Sequence, residues 1–222
     1  IEGGKMPVVF SERISPKLMG MYCQPFVAEA MQKGMSRLQG KEGEVIASKE
    51  FSLWNDPLGE NFMHRFLFDS EGSPTRLVKV VDQGVFSEAL YNLETASKAG
   101  RKTTGNGART FDSKVYTGFY NLLVPASDKS IAELLKLFPK CFYVVRLEGN
   151  SGCNAVSGEF SIGAHGFWVE NGVVQHPVDG ATLNGNFFDI IKDIVAVGNE
   201  YRDAFASHKV PALAVSELSV SV

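Results

Sequence analysis

Three features of the sequence point to an α+β fold, a mixed, mostly antiparallel sheet closing toward a barrel with flanking helices. β-prone runs meet at tight turns, amphipathic helical segments lie scattered among them, and no regular strand-helix-strand alternation is present. Gly158 to Glu200 concentrates all three. The run Gly166-Phe167-Trp168-Val169-Glu170 meets Asn171-Gly172 and is followed by Val173-Val174-Gln175-His176, which is the strongest short-range hairpin pattern. Pro177 then reads as a stop, and Gly180 to Asn186 as a loop. Phe187, Ile190, Ile191, Ile194 and Val195 recur at helical spacing. Asn184 or Asn186 is placed to cap that helix, and Gly198 to end it.

The other elements follow in chain order. Pro7 to Phe10 reads as a strand. Ser15-Pro16 opens a helix with a capping residue and a proline at the first position, where its missing amide costs nothing. Pro25 interrupts that helix, a second piece runs from Phe26 to Gly34, and Gly40 to Gly43 makes a polar turn. Val45 to Trp54 is strand-like, and residues 58–76 form a long loop of the kind that is usually functional or mobile. Leu77 to Val81 and Val85 to Leu90 flank Asp82-Gln83-Gly84 as a hairpin of three-residue type. Leu93 to Ala99 is a short helix stopped by Gly100, Arg101 to Ser113 is a loop, and Val115 to Val124 is a strand. Ser130 with Glu133 forms a capping box for the next helix. Cys141 to Leu147 is apolar enough for a buried strand, and Leu213 to Val222 alternates as a final one.

Bulk composition excludes several classes of function. A chain of 222 residues buries roughly 70% of its unfolded surface, enough for a core without staples. Net charge is −3, which offers no electrostatic footprint for nucleic acid. No apolar run approaches the roughly 18 residues of a membrane span. Cys23, Cys141 and Cys153 are few, odd in number and far apart, as in a reduced cytoplasmic protein. The chain opens at Ile1-Glu2-Gly3-Gly4 without a secretory leader and reads as one domain, 1–222, from the C-terminal half of a longer protein.

The segments GEFS, GFWVENG, HPVDG, LNGN and VAVGNE, in that order, resemble the C-terminal domain of the TldD/PmbA family, whose members are also called TldE or modulators of DNA gyrase. The resemblance extends to Asp69-Ser70-Glu71-Gly72-Ser73-Pro74-Thr75 and to Thr104-Gly105-Asn106-Gly107-Ala108-Arg109, and so covers nearly the whole chain. It implies a barrel-like sheet with flanking helices. It also implies an N-terminal domain that this sequence does not contain.

Catalytic, TldD-type members hold zinc with an HExxxH helix, two imidazoles and a glutamate base, and use a cysteine shortly after the VGN segment. Counting back from Gly40, Gly43-Glu44, Ile46-Ala47-Ser48 puts the two histidine positions on Met19 and Gln24 and the glutamate on Gly20. No histidine lies between Ile1 and Phe62, and no cysteine follows Cys153. The resemblance therefore implies the PmbA/TldE side of the family: a non-catalytic subunit, with no catalytic residue and no metal of its own. Its partner is a TldD-type zinc subunit or a second copy, its substrates are peptides, and its contribution is interface and substrate-channel surface.

Candidates for the substrate groove are Asp69, Glu71, Asn106, Arg109 and His165. Asp69 and Glu71 suit acid/base work, or pair with Arg76 or Arg109. Among His64, His165, His176 and His208, His165 stands out because Gly163, Ala164 and Gly166 flank it, and His165, His176 and Cys153 are the set from which a metal site could be built across the fold. The basic stretch Lys98, Arg101, Lys102, Arg109, Lys114 lacks the order of a phosphate loop. Gly149 to Gly158 reads as a flexible loop. Two competing functions are an autonomous hydrolase using Asp69, Glu71, Arg109 and His165, and a plain peptide-binding or dimerisation module.

Overall fold

The computed structural model describes residues 2–149, 151–203 and 205–222, so Ile1, Ala204, and Asn150 of the expected glycine-rich loop lie outside it. The first half of the chain gives strand β1 (Gly4–Phe10), helices α1 (Ser15–Met21) and α2 (Ala28–Gln32), and strands β2 (Leu53–Asn55), β3 (Val78–Asp82) and β4 (Val85–Phe86). Helix α3 (Leu93–Lys98) and the short strands β5 (Gly107–Ala108), β6 (Tyr116–Thr117) and β7 (Leu122–Leu123) follow. The second half gives helix α4 (Ile131–Leu135) and the long strands β8 (Lys140–Leu147), β9 (Glu159–Glu170) and β10 (Val173–Asn186). Helix α5 (Phe187–Lys192) and strands β11 (Ile194–Val197), β12 (His208–Lys209) and β13 (Leu213–Ser221) complete it.

Strands β1, β8, β9, β10 and β13 pair in that order, and β13 returns to β1, which closes a five-stranded ring. Every pairing in the ring is antiparallel except β1 with β8. Strand β11 adds to β13 outside the ring, and β12, β7, β2, β3 and β4 form a second sheet. The α+β, mixed and mostly antiparallel barrel expected from the sequence is the one found.

Helices α1 and α2 carry residues of the core shared by ring and second sheet. Tyr22 stacks on Phe187 of α5 at 4.7 Å between ring centroids, and Phe26 meets Phe86 of β4 edge-on at 6.2 Å. All four rings are fully buried, each contributing about 1.5–3 kcal/mol. A smaller apolar cluster joins Leu134 and Leu135 of α4 to Val9, Cys141 and Val169. Val8 and Phe10 belong to the main core instead, so β1 buries both of its faces.

Where local chemistry dictates a turn, the structure follows it. Asn171 and Gly172 both have positive φ (50° and 78°), as a type I′ turn requires, and Glu170 pairs with Val173 across it. Ser130 and Glu133 form the reciprocal capping box at α4, and Asn92 with Thr95 forms another at α3. Gly100 takes φ 64° beyond the end of α3.

Several boundaries differ from the expectation. Ser15 does not cap α1; its hydroxyl donates to the Ser11 carbonyl at 3.0 Å, and Ile14 holds the cap position. Gln83 and Gly84 alone make the β3–β4 turn, with φ 47° and 82°, because Asp82 pairs directly with Val85. Strand structure in 45–54 is confined to Leu53–Trp54, and 115–124 splits into β6 and β7. Pro177 does not stop the strand. β10 runs on through Gly180 to Asn186, with register shifts between Val174 and His176 and between Val178 and Ala181. At Pro177, β9 pairs on one side while β13 pairs with β10 only at Thr182–Asn184, so the proline lies where β10 has a partner on one side only, a position that tolerates a missing amide. Asn186 caps α5 by accepting from the Phe188 amide, but the helix ends at Lys192. Ile194 to Val197 leave it to pair with β13, and Gly198 therefore ends no helix; its amide donates to the Ala212 carbonyl at 2.8 Å.

Candidate functional site

The two segments where the resemblance places metal ligands come together in space. A cavity of about 520 Å³ is lined by Arg13 and Pro16 at the start of α1 and by Tyr201, Arg202, Ser207 and His208 from the segment after Val197-Gly198-Asn199. The His208 ring lies against Gly20, 3.7 Å from where a β-carbon there would stand. Burial lowers the pKa of His208. The wall is pinned by hydrogen bonds: the Tyr201 hydroxyl accepts from the Ala126 amide and donates to the Val124 carbonyl, and the Leu122 amide donates to the Ser207 carbonyl. Next in sequence, Lys209 is buried, with its ammonium over the Phe62 and Tyr201 rings at 4.9 and 5.5 Å, and burial lowers its pKa.

The donors around α1 do not fit a zinc ion. Met19 is buried in the core, Gly20 has no side chain and Gln24 is exposed. Zinc takes three or four imidazole, thiolate or carboxylate ligands, and the cavity lining offers one imidazole, His208, and one carboxylate, Asp203. The Cys23 thiol donates to the Gly20 carbonyl at 3.2 Å, and burial raises its pKa, which disfavours thiolate. Among the described residues no three His, Cys, Asp or Glu side chains converge as a metal site, and His165, His176 and Cys153 are no exception.

Asp69, Glu71 and Asn106 are brought together as a clasp between the two acidic and glycine-rich family segments. Asp69 Oδ1 accepts from the amides of Glu71 (2.9 Å) and Ser73 (2.8 Å), closing an Asx-type turn, while Oδ2 accepts from the Gly107 amide at 2.9 Å. Glu71 Oε2 accepts from the Leu93 amide at 2.8 Å at the start of α3. Asn106 is fully buried, accepting from the Thr104 hydroxyl at 2.7 Å and donating to the Gly118 carbonyl at 2.9 Å. The backbones touch as well: a β-carbon on Gly105, at φ 75°, would stand 2.8 Å from Thr75 Cα. The expected pairing of these carboxylates with Arg76 or Arg109 is not found; Arg76 pairs with Glu88 at 2.6 Å, and Arg109 is on the surface.

His165 lies elsewhere, on β9 opposite Arg146 of β8. Its Nε2 is 2.8 Å from Glu148 Oε1 and 2.8 Å from an Arg146 guanidinium nitrogen, and its Nδ1 contacts Asp179. The hydrogen bond to Glu148, then that to Asp179, raises its pKa above the ordinary 6.5, against burial and the Arg146 charge. A raised histidine pKa stabilises the fold at pH below the ordinary value and loses that contribution as pH climbs through the folded one. The melting temperature is therefore expected to fall from pH 6.5 upward more in the parent than in His165→Gln. Equal slopes in a thermal melt series would show that the carboxylates leave the imidazole untouched.

Two of the five cations of the basic stretch are paired, Lys98 with Glu94 at 2.5 Å and Arg101 with Glu42 at 2.6 Å. Arg13, Tyr201, Arg202 and Ser207 belong to no sequence motif; only the juxtaposition of two segments remote in the chain marks them.

Residues 3–222 match the model of the PmbA/TldA metallopeptidase C-terminal domain. Metalloprotease PmbA of Escherichia coli O157:H7 is 29% identical over 196 residues, spanning 88% of this chain and 41% of that protein. A solved structure from Thermotoga maritima, named as a candidate modulator of a DNA gyrase, is 36% identical with a TM-score of 0.90, over 100% of this chain and 50% of that one. TldE from Thermococcus kodakarensis, 24% identical over all of this chain and 51% of that one, superposes with a TM-score of 0.92 and speaks for the fold alone. The chain thus spans about half the length of these solved chains, and less of the curated relative.

Proposed function

The chain belongs to the PmbA/TldD metallopeptidase family as its C-terminal domain, and from that premise we propose that it is the non-catalytic side of a two-subunit peptidase. A TldD-type partner supplies the zinc and the water activation; this chain supplies interface and substrate-channel surface. The observation that carries the reading is the set of residues in and just after α1, where Met19, Gly20 and Gln24 stand at the positions the family resemblance gives to the ligands and base, and where His208 lies against Gly20. The free thiols of Cys23, Cys141 and Cys153 fit a cytoplasmic setting, and among the described residues no helix is long and apolar enough to cross a membrane.

Within this reading Arg109 and His165 belong to the channel surface, and Asp69, Glu71 and Asn106 hold the loop that presents Arg109. The competing hydrolase built on Asp69, Glu71, Arg109 and His165 is disfavoured by the hydrogen bonding, since the first two bind backbone amides while His165 binds Glu148 and Asp179.

Mixing the protein with an HExxxH-bearing family member should give a complex on size exclusion that cleaves an unstructured peptide and loses that activity to a chelator. The protein alone is expected to show no turnover. Cleavage by the chain alone, surviving chelation, would overturn the proposal, and assembly with itself only would favour the homodimeric module.

A further inference from the structure

We infer that the cavity between α1 and the segment after Asn199 binds the C-terminal carboxylate of a peptide, an inference that rests on the peptidase-complex reading above. Arg13 and Arg202 both line it, and among the described residues neither guanidinium lies within 4.0 Å of a carboxylate. Lys209, one residue from the His208 wall, is a buried cation held by aromatic faces and by no ion pair in that set. Asp203 is the only acidic side chain in the lining, and its Oδ1 accepts from the Phe205 amide at 2.9 Å. The local balance is an excess of positive charge around a cavity of about 520 Å³, a size suited to a few residues of extended chain.

The walls favour a carboxylate on an organic stub over a bare inorganic anion. Pro16, Ala206 and Val210 give apolar surface beside the two guanidinium forks, whose planar donors match a carboxylate in a bidentate pair. The strand that contributes His208, β12, ends its sheet: β7 pairs on one edge and, among the described residues, no strand pairs on the other. An extended peptide laid along that open edge gains main-chain hydrogen bonds while its terminus meets the arginines. Apolar wall, open edge and unpaired cations at one place describe the end of a peptide and not its middle.

The test is fluorescence anisotropy with a pentapeptide labelled at its amino end, as free acid and as C-terminal amide, titrated with the protein. The acid is expected to bind about tenfold more tightly than the amide, and Arg13→Ala or Arg202→Ala to erase about that factor. Arg202→Lys, keeping charge without the fork, should fall between, with circular dichroism unchanged in all three variants. Equal binding of acid and amide, no binding of either, or competition by inorganic phosphate as strong as by unlabelled acid would overturn the inference. Assembly with the zinc-bearing partner is scored separately. Loss of the acid preference with assembly intact sinks the carboxylate site alone, while failure to assemble sinks the subunit reading and leaves the peptide result standing.

Discussion

Alanine at Gly166 is expected to destabilise the protein by about 3 kcal/mol or more, through forced overpacking against backbone. Gly166 sits in β9 where that strand is flanked on both sides, opposite Val144 of β8 and Val178 of β10. A β-carbon there would press into the Tyr143 carbonyl, with the carbonyl carbon at 2.8 Å and the Phe142 ring at 3.0 Å. Backbone in the middle of a closed ring cannot swing aside as a side-chain tip does, so relief requires parting β8 from β9. Gly163→Ala on the same strand is the control. Its new methyl would meet the exposed Glu148 side chain, with Cδ at 2.8 Å, which can turn aside at the cost of its surface hydrogen bond to His165, worth about 1 kcal/mol or less. Urea denaturation of the two variants should separate them clearly; a Gly166→Ala midpoint matching that of Gly163→Ala would mean that the ring breathes more than its pairing suggests.

Removing the Asp69 carboxylate should cost a similar amount. The side chain is 7% exposed and accepts from three backbone amides, those of Glu71, Ser73 and Gly107. Asp69→Ala strands those donors, and with about 1–3 kcal/mol for each one left buried, a loss of about 3 kcal/mol is expected. Asp69→Asn keeps one acceptor oxygen but turns an amino group toward an amide N–H, and should lose about half as much. Hydrogen exchange at the Gly107 amide would rise in both variants. Unchanged exchange there, with stability within about 0.5 kcal/mol of the parent, would show that the clasp is ornamental.

The clasp also shows how far motifs can be read without coordinates. Asp69, Glu71 and Asn106 stood out in the sequence because their segments matched the family, and a carboxylate pair invites an acid/base role. What the pair does depends on which amides are within reach: besides the local Glu71 and Ser73 amides, these belong to Gly107 and Leu93, more than twenty residues away. The cavity shows the reverse case. No motif marks Arg13 or Arg202 in the sequence; they share one cavity only because the start of α1 and the segment after Asn199 lie side by side.

Local chemistry was enough to determine the Asn171-Gly172 turn, the Ser130–Glu133 cap and the buried strand through Cys141 to Leu147, because each depends on residues close in the chain. The continuation of β10 through Pro177, the conversion of Ile194 to Val197 from helix to strand, and the meeting of two guanidinium groups at one cavity were decided by tertiary structure. Their energies come from partners remote in sequence: β9 and β13 supply the ladder that outweighs a proline or a helical spacing, and only the folded chain brings those strands alongside.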